Sequence, residues 1–531
     1  MQSINSLATK HFLRARLVLH MLNLVQQICR GFVPNNLVGR KVLLAYFLRR
    51  NQNASTLTSA DTIIEGNLKR EGVHCMDIKM FLVGAALMAL LALPANAQFY
   101  KQTNLVSDIA GMAQIQDPQL VNPWGVSLST RSPFWVSNAG SSVSTLYSVD
   151  PTTGTVTKAS LVVSVPVPSG QVHNGITTDF LLSGSPAAFI FAGLNGNVYG
   201  WTGGSSATLA ASGPSPAAYT GITIGLLAGS QNLYTANPAG NRIDVYDHTF
   251  ANVNASFAGK WIDLTLPAGL VPFNIASING QLFVSYTPAN PMMTGPGVIN
   301  VFDTAGNFLR RFATGGTLLS PWGMVVAPSD FGAFSKALLV GNFNLGNSAN
   351  GPGNISAFDL TTGNFLGLLQ GTDSAPLQID GLWQLIFGNG GSGGNPSVLY
   401  FSAGIQNQMH GLFGSLNACG GPVITDASAT PNVLWPPNNK FVSVSIGYTV
   451  TDNCDNEPLC SLSVTAADSG GGIDRLSDSA IVVDDHTVQL RASRNGGGDG
   501  RIYSVEITCK DKLPLSSRAI ATVIVPHDRG K

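Results

Sequence analysis

Only 11% of the 531 residues are charged, and no glutamate occurs anywhere between Gln98 and Asn417. That scarcity excludes a helical bundle or coiled coil, which needs Glu, Lys, Ala and Leu in bulk. Lys plus Arg equals Asp plus Glu at 29 each, and residues 98–417 carry just 8 basic side chains, so there is no basic stripe for nucleic acid. Cysteine is missing from the same stretch, and the six present lie at its two flanks. Long apolar runs are also missing, save one of 13 residues from Phe81 to Leu93. As a helix that run spans about 20 Å, too short to cross a membrane. What is plentiful is glycine, 59 residues, with 29 prolines and much Ser, Thr and Asn, the texture of short strands and tight turns. The length suffices for about two to four domains.

The charge that exists is unevenly placed. Residues 1–75 hold 10 Lys/Arg against 3 Asp/Glu, net +7, whereas residues 98–531 hold 18 against 25, net −7. Between them Met76-Asp-Ile-Lys-Met80 leads into the apolar run, and Pro94-Ala-Asn-Ala97 follows it. A short basic n-region, an apolar h-region and a small-x-small site form a secretory signal over 76–97, cleaved after Ala97. The mature chain then starts at Gln98 with no membrane span. The 75 residues upstream read as an extension from a mis-assigned start codon, with a basic pre-segment of real function as the rival. Export means an extracellular or cell-surface location, with the periplasm as the other destination. Cys419, Cys454, Cys460 and Cys509 then read as two disulfides. Four cysteines allow three connectivities, and no Cys-x-x-Cys spacing points to zinc.

From Asn122 to Leu416 one pattern recurs. Its anchors are Asn122-Pro-Trp-Gly-Val126, His173-Asn-Gly-Ile176, Tyr219-Thr-Gly-Ile222, Pro272-Phe-Asn-Ile275, Pro321-Trp-Gly-Met324 and Asp380-Gly-Leu382. Counted at the Gly position, with Asn274 standing in the fourth, the spacings are 50, 46, 53, 49 and 58 residues. Each anchor precedes an aromatic and β-branched second strand, such as Phe134-Trp-Val-Ser-Asn138 or Leu338-Leu-Val-Gly-Asn342. A third strand then ends in Asp, as at Asp247, Asp303 and Asp359. Periods of about 40–50 residues with several short strands each mark propeller blades. The aspartates suit tight turns, where a carboxylate accepts nearby amides. The sixth repeat stops after its third strand, and Phe99–Val106 is predicted to supply the fourth and close the ring.

Residues 219–247, with Leu233-Tyr-Thr-Ala-Asn237 and Asn241-Arg-Ile-Asp-Val-Tyr-Asp247, resemble an NHL-type propeller repeat. Asn104-Leu-Val-Ser-Asp108, Asp117-Pro-Gln-Leu-Val-Asn-Pro-Trp-Gly125 and Ser132-Pro-Phe-Trp-Val136 resemble an uncharacterised family of secreted bacterial β-propellers. After Cys419-Gly-Gly-Pro422 six or seven short alternating strands suggest an immunoglobulin-like sandwich. Val433-Leu-Trp-Pro-Pro-Asn-Asn-Lys440 and Thr451-Asp-Asn-Cys-Asp455 resemble an Ig-like or HYR-like module of exported bacterial proteins. On such a sandwich three of the cysteines fall at strand ends of one pole. That placement favours Cys454–Cys460 and Cys419–Cys509. Asp452, Asp455 and Asp511 are either solvated loop carboxylates or calcium ligands. The expected fold is therefore all-β: a six-bladed β-propeller over 98–417 followed by an immunoglobulin-like β-sandwich over 418–531.

In propellers ligands meet the ring where the innermost strands begin. The anchors place Asn122, Trp124, His173, Asn174, Thr220, Phe273, Asn274, Trp322, Asp380 and Trp383 there. Three indoles beside amide, imidazole and carboxylate groups suit a wet pocket for a glycan, peptide or protein. The same residues also suit packing of blade against blade. A calcium-dependent lactonase or esterase would use Asn122, Asn174, Asn274 and Asp380 as an oxygen ring, and calcium is the one cofactor this reading leaves open. With 12 Asp and no Glu in 98–417 the ring would hold calcium weakly, since affinity follows ligand charge. His173 with Asp179 or Asp380 lacks a Gly-x-Ser-x-Gly nucleophile. The leading expectation is an exported binding or scaffold protein. The alternatives are the lactonase-type hydrolase and a structural surface or matrix component.

Overall fold

A computed structural model of the chain describes residues 99–289, 295–344, 351–468, 479–496, 500–513 and 515–528. The upstream extension and the export signal lie outside the described residues.

The ring has six blades. Blade 1 comprises Pro123–Ser127, Phe134–Asn138, Val143–Val149 and Val156–Ser164; blade 2 comprises Pro168–His173, Phe189–Gly193, Asn197–Trp201 and Thr208–Ser212. Blade 3 has Gly221–Leu227, Ser230–Asn237 and Arg242–Tyr246; blade 4 has Leu270–Ile278, Gln281–Pro288, Pro296–Phe302 and Phe308–Leu319. Blade 5 is Pro321–Val326, Leu338–Asn342, Ile355–Phe358 and Phe365–Leu368. Blade 6 joins Leu382–Phe387, Leu399–Ala403 and Leu412–Ala418 to Tyr100–Ser107 from the other end of the ring. Second strands such as Phe134–Asn138 and Leu338–Asn342 are buried at every residue. They lie between neighbouring blades, so both faces are covered, and this is why they read as continuous apolar runs rather than alternating ones.

Closure follows the expected route. Tyr100–Ser107 pairs antiparallel with Leu412–Ala418, from Tyr100 opposite Ala418 to Ser107 opposite Leu412. The fully buried Tyr100 donates from its hydroxyl to Phe331 O at 3.0 Å, so the strand is held by side chain as well as backbone. A short parallel partner, Ile115–Gln116, adds a fifth strand that the repeat pattern gives no sign of. In the third-to-fourth-strand turns Asp150 accepts the amides of Thr152 and Thr153, and Asp359 those of Thr361 and Thr362. These bonds hold both carboxyls below the usual range, as turn aspartates should be.

Two of the six anchors are out of register. A β-carbon on Gly125 would sit 2.9 Å from the Gly170 Cα, and one on Gly170 would sit 2.9 Å from Ile222 N and 3.1 Å from the Gly221 Cα. The innermost strands touch backbone to backbone at Gly125, Gly170 and Gly221, which only glycine permits. The blade 2 anchor is therefore Gly170, not Gly175, beside which there is open space. Likewise Gly323 abuts Trp383 O and Leu385 N, so Gln384 rather than Gly381 is its counterpart in blade 6. An Asn-Gly pair carries the same turn signal whether it begins or ends an inner strand, and the repeat pattern could not separate the two.

The last module consists of two sheets around one apolar core. One sheet runs Val423–Thr430, Phe441–Thr451, Thr487–Arg491, Ala480–Val482; the other runs Leu459–Asp468, Gly500–Lys510, Ser516–Pro526. Val444, Ile446, Val488 and Leu490 of the first face Val505, Ile507, Val523 and Val525 of the second. All four cysteines are bridged, but as Cys419–Cys454 and Cys460–Cys509. This corrects the expected pairing. Cys460 and Cys509 stand directly opposite in an unbroken strand register, Cα to Cα 4.0 Å, so neither side chain can turn to Cys454 or Cys419. Cys419 follows the last propeller strand, and its bridge fastens that strand to the module. Phe99, Leu513 and Leu515 pack around it.

Candidate functional site

The inner strands of blades 1, 5 and 6 each carry a tryptophan at the second position, Trp124, Trp322 and Trp383, and blade 4 carries Phe273 nearby. In the register set by Gly125, Gly170 and Gly221 the same place holds Ser169 in blade 2 and Thr220, just before the strand, in blade 3. The large side chains form one cluster, with Leu194 and Phe273 packed against it. Trp124 and Trp383 stack at 3.6 Å, and Trp383 stacks on Phe343 at 4.0 Å. Trp322 meets both indoles edge-on at 6.1 and 5.6 Å, as ring quadrupoles favour. Its Nε1 reaches across to donate to Thr220 O at 3.0 Å. Exposures of 6%, 1% and 1% for Trp124, Trp322 and Trp383 show a dry aromatic plug, the packing role of the two that the sequence offered, rather than a wet three-indole pocket.

Polar groups around this plug are incompletely paired. Trp124 Nε1, Trp383 Nε1, Asn122 Oδ1 and both ends of the Asn344 carboxamide are buried without a hydrogen-bond partner. Asn344 is fully buried. Asn122 Oδ1 and Trp383 Nε1 face the same small space: a β-carbon on Gly404 would run into the first and meet the second at 3.2 Å. Gly404 N bonds Gly381 O, and Gly381 N bonds Asn344 O, which ties these positions into one layer. An acceptor beside a donor, both sheltered, is what a neutral polar ligand group or ordered water satisfies.

Above this layer the loop between the second and third strands of blade 6 takes a strained form. Gln406, Asn407 and Gln408 are consecutive non-glycine residues at φ 50, 60 and 66°. Left-handed backbone costs about 1–2 kcal/mol per residue, so surrounding bonds must hold it. Asp380 Oδ2 accepts the Gln406 amide at 2.7 Å, Gly404 O accepts that of Gln408 at 3.2 Å, and Asn122 Nδ2 donates to Gln408 Oε1 at 3.3 Å. The turn lifts Gln406, Asn407 and Met409 into solvent.

Asn122, Trp124, Trp322, Asp380 and Trp383 are thus brought together on the face where inner strands begin. His173 and Asn174 are not. Phe189 pairs with His173 at the far end of the blade 2 inner strand, and Gly193 with Pro168 at the near end. His173 and Asn174 therefore emerge on the opposite face, where Asn174 accepts Ile176 N and donates to Asp179 O. Burial lowers the His173 pKa. Asn274 donates to Trp322 O at 2.6 Å and so fastens blade 4 to blade 5. The oxygen quartet Asn122, Asn174, Asn274 and Asp380 does not converge, nor do His173 and Asp380. Sequence reasoning passed over Phe343, Asn344, Gly404 and Gln406–Gln408; the only trace of them is the polar run Gln406-Asn-Gln408 between two apolar strands.

Two other places gather charged side chains. A cavity of about 340 Å³ between blades 3 and 4 is lined by Arg242, Lys260, Trp261 and Asp263 among others. Its charges are already engaged, Arg242 with Asp244, Lys260 with Asn307 and Asp263 with Arg311. In the module, Asp452 accepts the amides of Cys454 and Asp455, and Asp455 is paired with Lys512 at 3.1 Å. Asp511 is raised above the usual carboxylate range by burial and by the charges of Asp452 and Asp455.

No family model matches the chain. Three uncharacterised proteins of Acanthamoeba polyphaga mimivirus are similar to it. One is 33% identical over 200 residues, 36% of this chain and 50% of its own length. A second is 26% identical over 341 residues, 60% of this chain and 80% of its own. A third is 31% identical over 209 residues, covering 38% and 36%. The chain thus spans about half the length of the first of these relatives. They are viral, which corrects the bacterial family expected from the resemblance. Among solved structures, a gluconolactonase from Xanthomonas campestris aligns with TM-score 0.35 and 12% identity, over 56% of this chain and 86% of that one. The WD40 β-propeller domain of Doa1 aligns at 0.32 and 7%, over 60% and 96%. At such similarity no activity or partner carries over. No helix among the described residues is long and apolar enough to cross a membrane.

Proposed function

We propose that the chain is an exported binding or scaffold protein. In this reading its propeller recognises an extracellular glycan, with peptide or protein ligands as the alternatives, on the face where the inner strands begin. The observation that carries it is the set of sheltered, unpartnered groups, Asn122 Oδ1, Trp383 Nε1 and the Asn344 amide, beneath the left-handed Gln406–Gln408 turn. Strain of this kind persists where the surrounding structure holds it for use. Donors and acceptors without net charge match sugar hydroxyls better than an ionic peptide. The two disulfides and the signal over 76–97 support export, and the two-sheet module supports an immunoglobulin-like appendage over 418–531.

The test is a glycan array on the full chain, followed by calorimetry with any hit. Asn407→Ala and Gln406→Ala, both at exposed positions, are expected to weaken binding about tenfold or more while the fold persists, with a fall in melting temperature of no more than about 2 °C for the alanine at the left-handed Asn407. Binding that persists undiminished in both variants would remove this face from the proposal. Ester or lactone hydrolysis that depends on added calcium would replace it with the lactonase reading.

A further inference from the structure

Edge strands present unpaired amides and carbonyls, and proteins blunt them with bulges, prolines, charges or covers. Most edges among the described residues are treated so. The outer strands of blades 1, 2, 4 and 5 meet their partners through register shifts. Val423–Thr430 is broken between Thr425 and Ser428, with Asp426 at φ 57°. Ala480–Val482 has three residues. Ser516–Pro526 is covered: Leu434 N bonds Ile524 O, and Ile524 N bonds Asn432 O.

Leu459–Asp468 shows none of these devices among the described residues. Its ten residues, Leu-Cys-Ser-Leu-Ser-Val-Thr-Ala-Ala-Asp, contain no proline and no basic side chain. They pair with Gly500–Lys510 in a register with no shift, from Leu459 opposite Lys510 to Asp468 opposite Arg501. The bridged pair Cys460–Cys509, Cα to Cα 4.0 Å, fixes the parity, because so short a separation belongs to a non-hydrogen-bonded pair. Residues 461, 463, 465 and 467 therefore spend their backbone bonds on Gly500–Lys510. The amides and carbonyls of Cys460, Leu462, Val464, Ala466 and Asp468 point outward. None of these is bonded to another strand or loop among the described residues.

We infer that this edge pairs antiparallel with the same strand of a second copy of the chain, about a twofold axis at Val464, to form a continuous six-stranded sheet. The strand is complementary to itself in that register. Val464 meets its own copy, Leu462 meets Ala466 and Cys460 meets Asp468, so no like charges oppose. On the outer face Ser463 meets Thr465 and Ser461 meets Ala467, all uncharged. Leu459, 81% exposed in the single chain, falls diagonally beside Ala467 of the other copy. Ala467 is itself opposite Ile502, which is opposite Ile524, and both isoleucines are exposed. The twofold arrangement thus covers the most exposed apolar side chain of the module with an apolar row across three strands.

Sedimentation velocity of the full chain over a wide concentration range reads the outcome. The wild type is expected to dimerise reversibly. Val464→Pro removes an outward amide and leaves the ladder to Gly500–Lys510 intact, so it should sediment as a monomer that still melts cooperatively, losing only the core contact of the partly buried valine. Ser463→Pro removes a bond within the sheet from an exposed position and should lower the melting temperature further. Ser463→Lys with Thr465→Lys alters only exposed side chains and sets like charges opposite each other. It should raise the dimer dissociation constant about tenfold or more, which keeps the test readable if Val464→Pro folds poorly. A wild type that is monomeric throughout overturns the inference, and so does a dimer that survives the double lysine variant.

Discussion

Replacing Trp322 by alanine separates a packed channel from an open one. The indole is 1% exposed, lies edge-on to Trp124 and Trp383, and donates across the axis to Thr220 O at 3.0 Å. Truncating a buried Trp to Ala costs about 3–5 kcal/mol through lost contacts and the cavity left behind. The orphaned Thr220 carbonyl adds about 1 kcal/mol, for a total of about 4–6 kcal/mol. For a propeller of this size that corresponds to a fall in melting temperature of about 6–9 °C. Trp322→Phe keeps ring packing and loses chiefly the hydrogen bond, so it should fall by a third of that or less. Calorimetry gives the shifts, and near-ultraviolet circular dichroism should lose the signal of the Trp124–Trp383 stack in the alanine variant alone. A Trp322→Ala protein that melts within about 1 kcal/mol of wild type would refute the plug, because only a side chain lining open space is lost so cheaply.

The blade 2 register is tested by a pair of alanines: Gly170→Ala drives a methyl against Ile222 N and should lower the melting temperature by several degrees or abolish soluble expression, while Gly175→Ala, with nothing within 4 Å, should be neutral. The reverse order would restore the anchor read from sequence. Asp511 titrates against the usual trend. Its pKa in the folded chain is raised, first by burial and then by Asp452 and Asp455, so its contribution to stability is full below the unfolded value and is lost as pH rises through the folded one. Asp511→Asn keeps the acceptor for Leu515 N and should melt higher than wild type at neutral pH, an advantage that disappears in acid. If added calcium raises the wild-type melting temperature and Asp511→Asn abolishes the rise, the three carboxylates are ligands instead.

Much of the ring was legible because its signals are local. The second strands announce themselves by apolar runs such as Phe134–Asn138, since both faces are covered by neighbouring blades. The turn aspartates do so by an Asp followed by Thr and Gly. The missing strand of blade 6 was found by subtraction, and Tyr100–Ser107 occupies it. Asn174-Gly175 misled because the same pair marks either end of an inner strand. The disulfides misled for a related reason: Cys454 and Cys460 are near in sequence, but the register of Leu459–Asp468 on Gly500–Lys510 places Cys460 opposite Cys509.

The sequence by itself determined an all-β chain of six repeats, the closing strand and four cysteines fit to be bridged. Each of these is written in periodicity, turn chemistry or composition over a few dozen residues. Only the tertiary structure decided that Trp124, Trp322 and Trp383 fill the axis rather than line it. The deciding contacts are the stack of Trp124 on Trp383 and the bond from Trp322 Nε1 to Thr220 O, and contacts between distant blades leave no trace in any one repeat. The same holds for the unpartnered Asn344, the left-handed Gln406–Gln408 turn and the bare Leu459–Asp468 edge. Each is defined by what does or does not come to lie beside it, and strand pairing settles that only once the chain has closed.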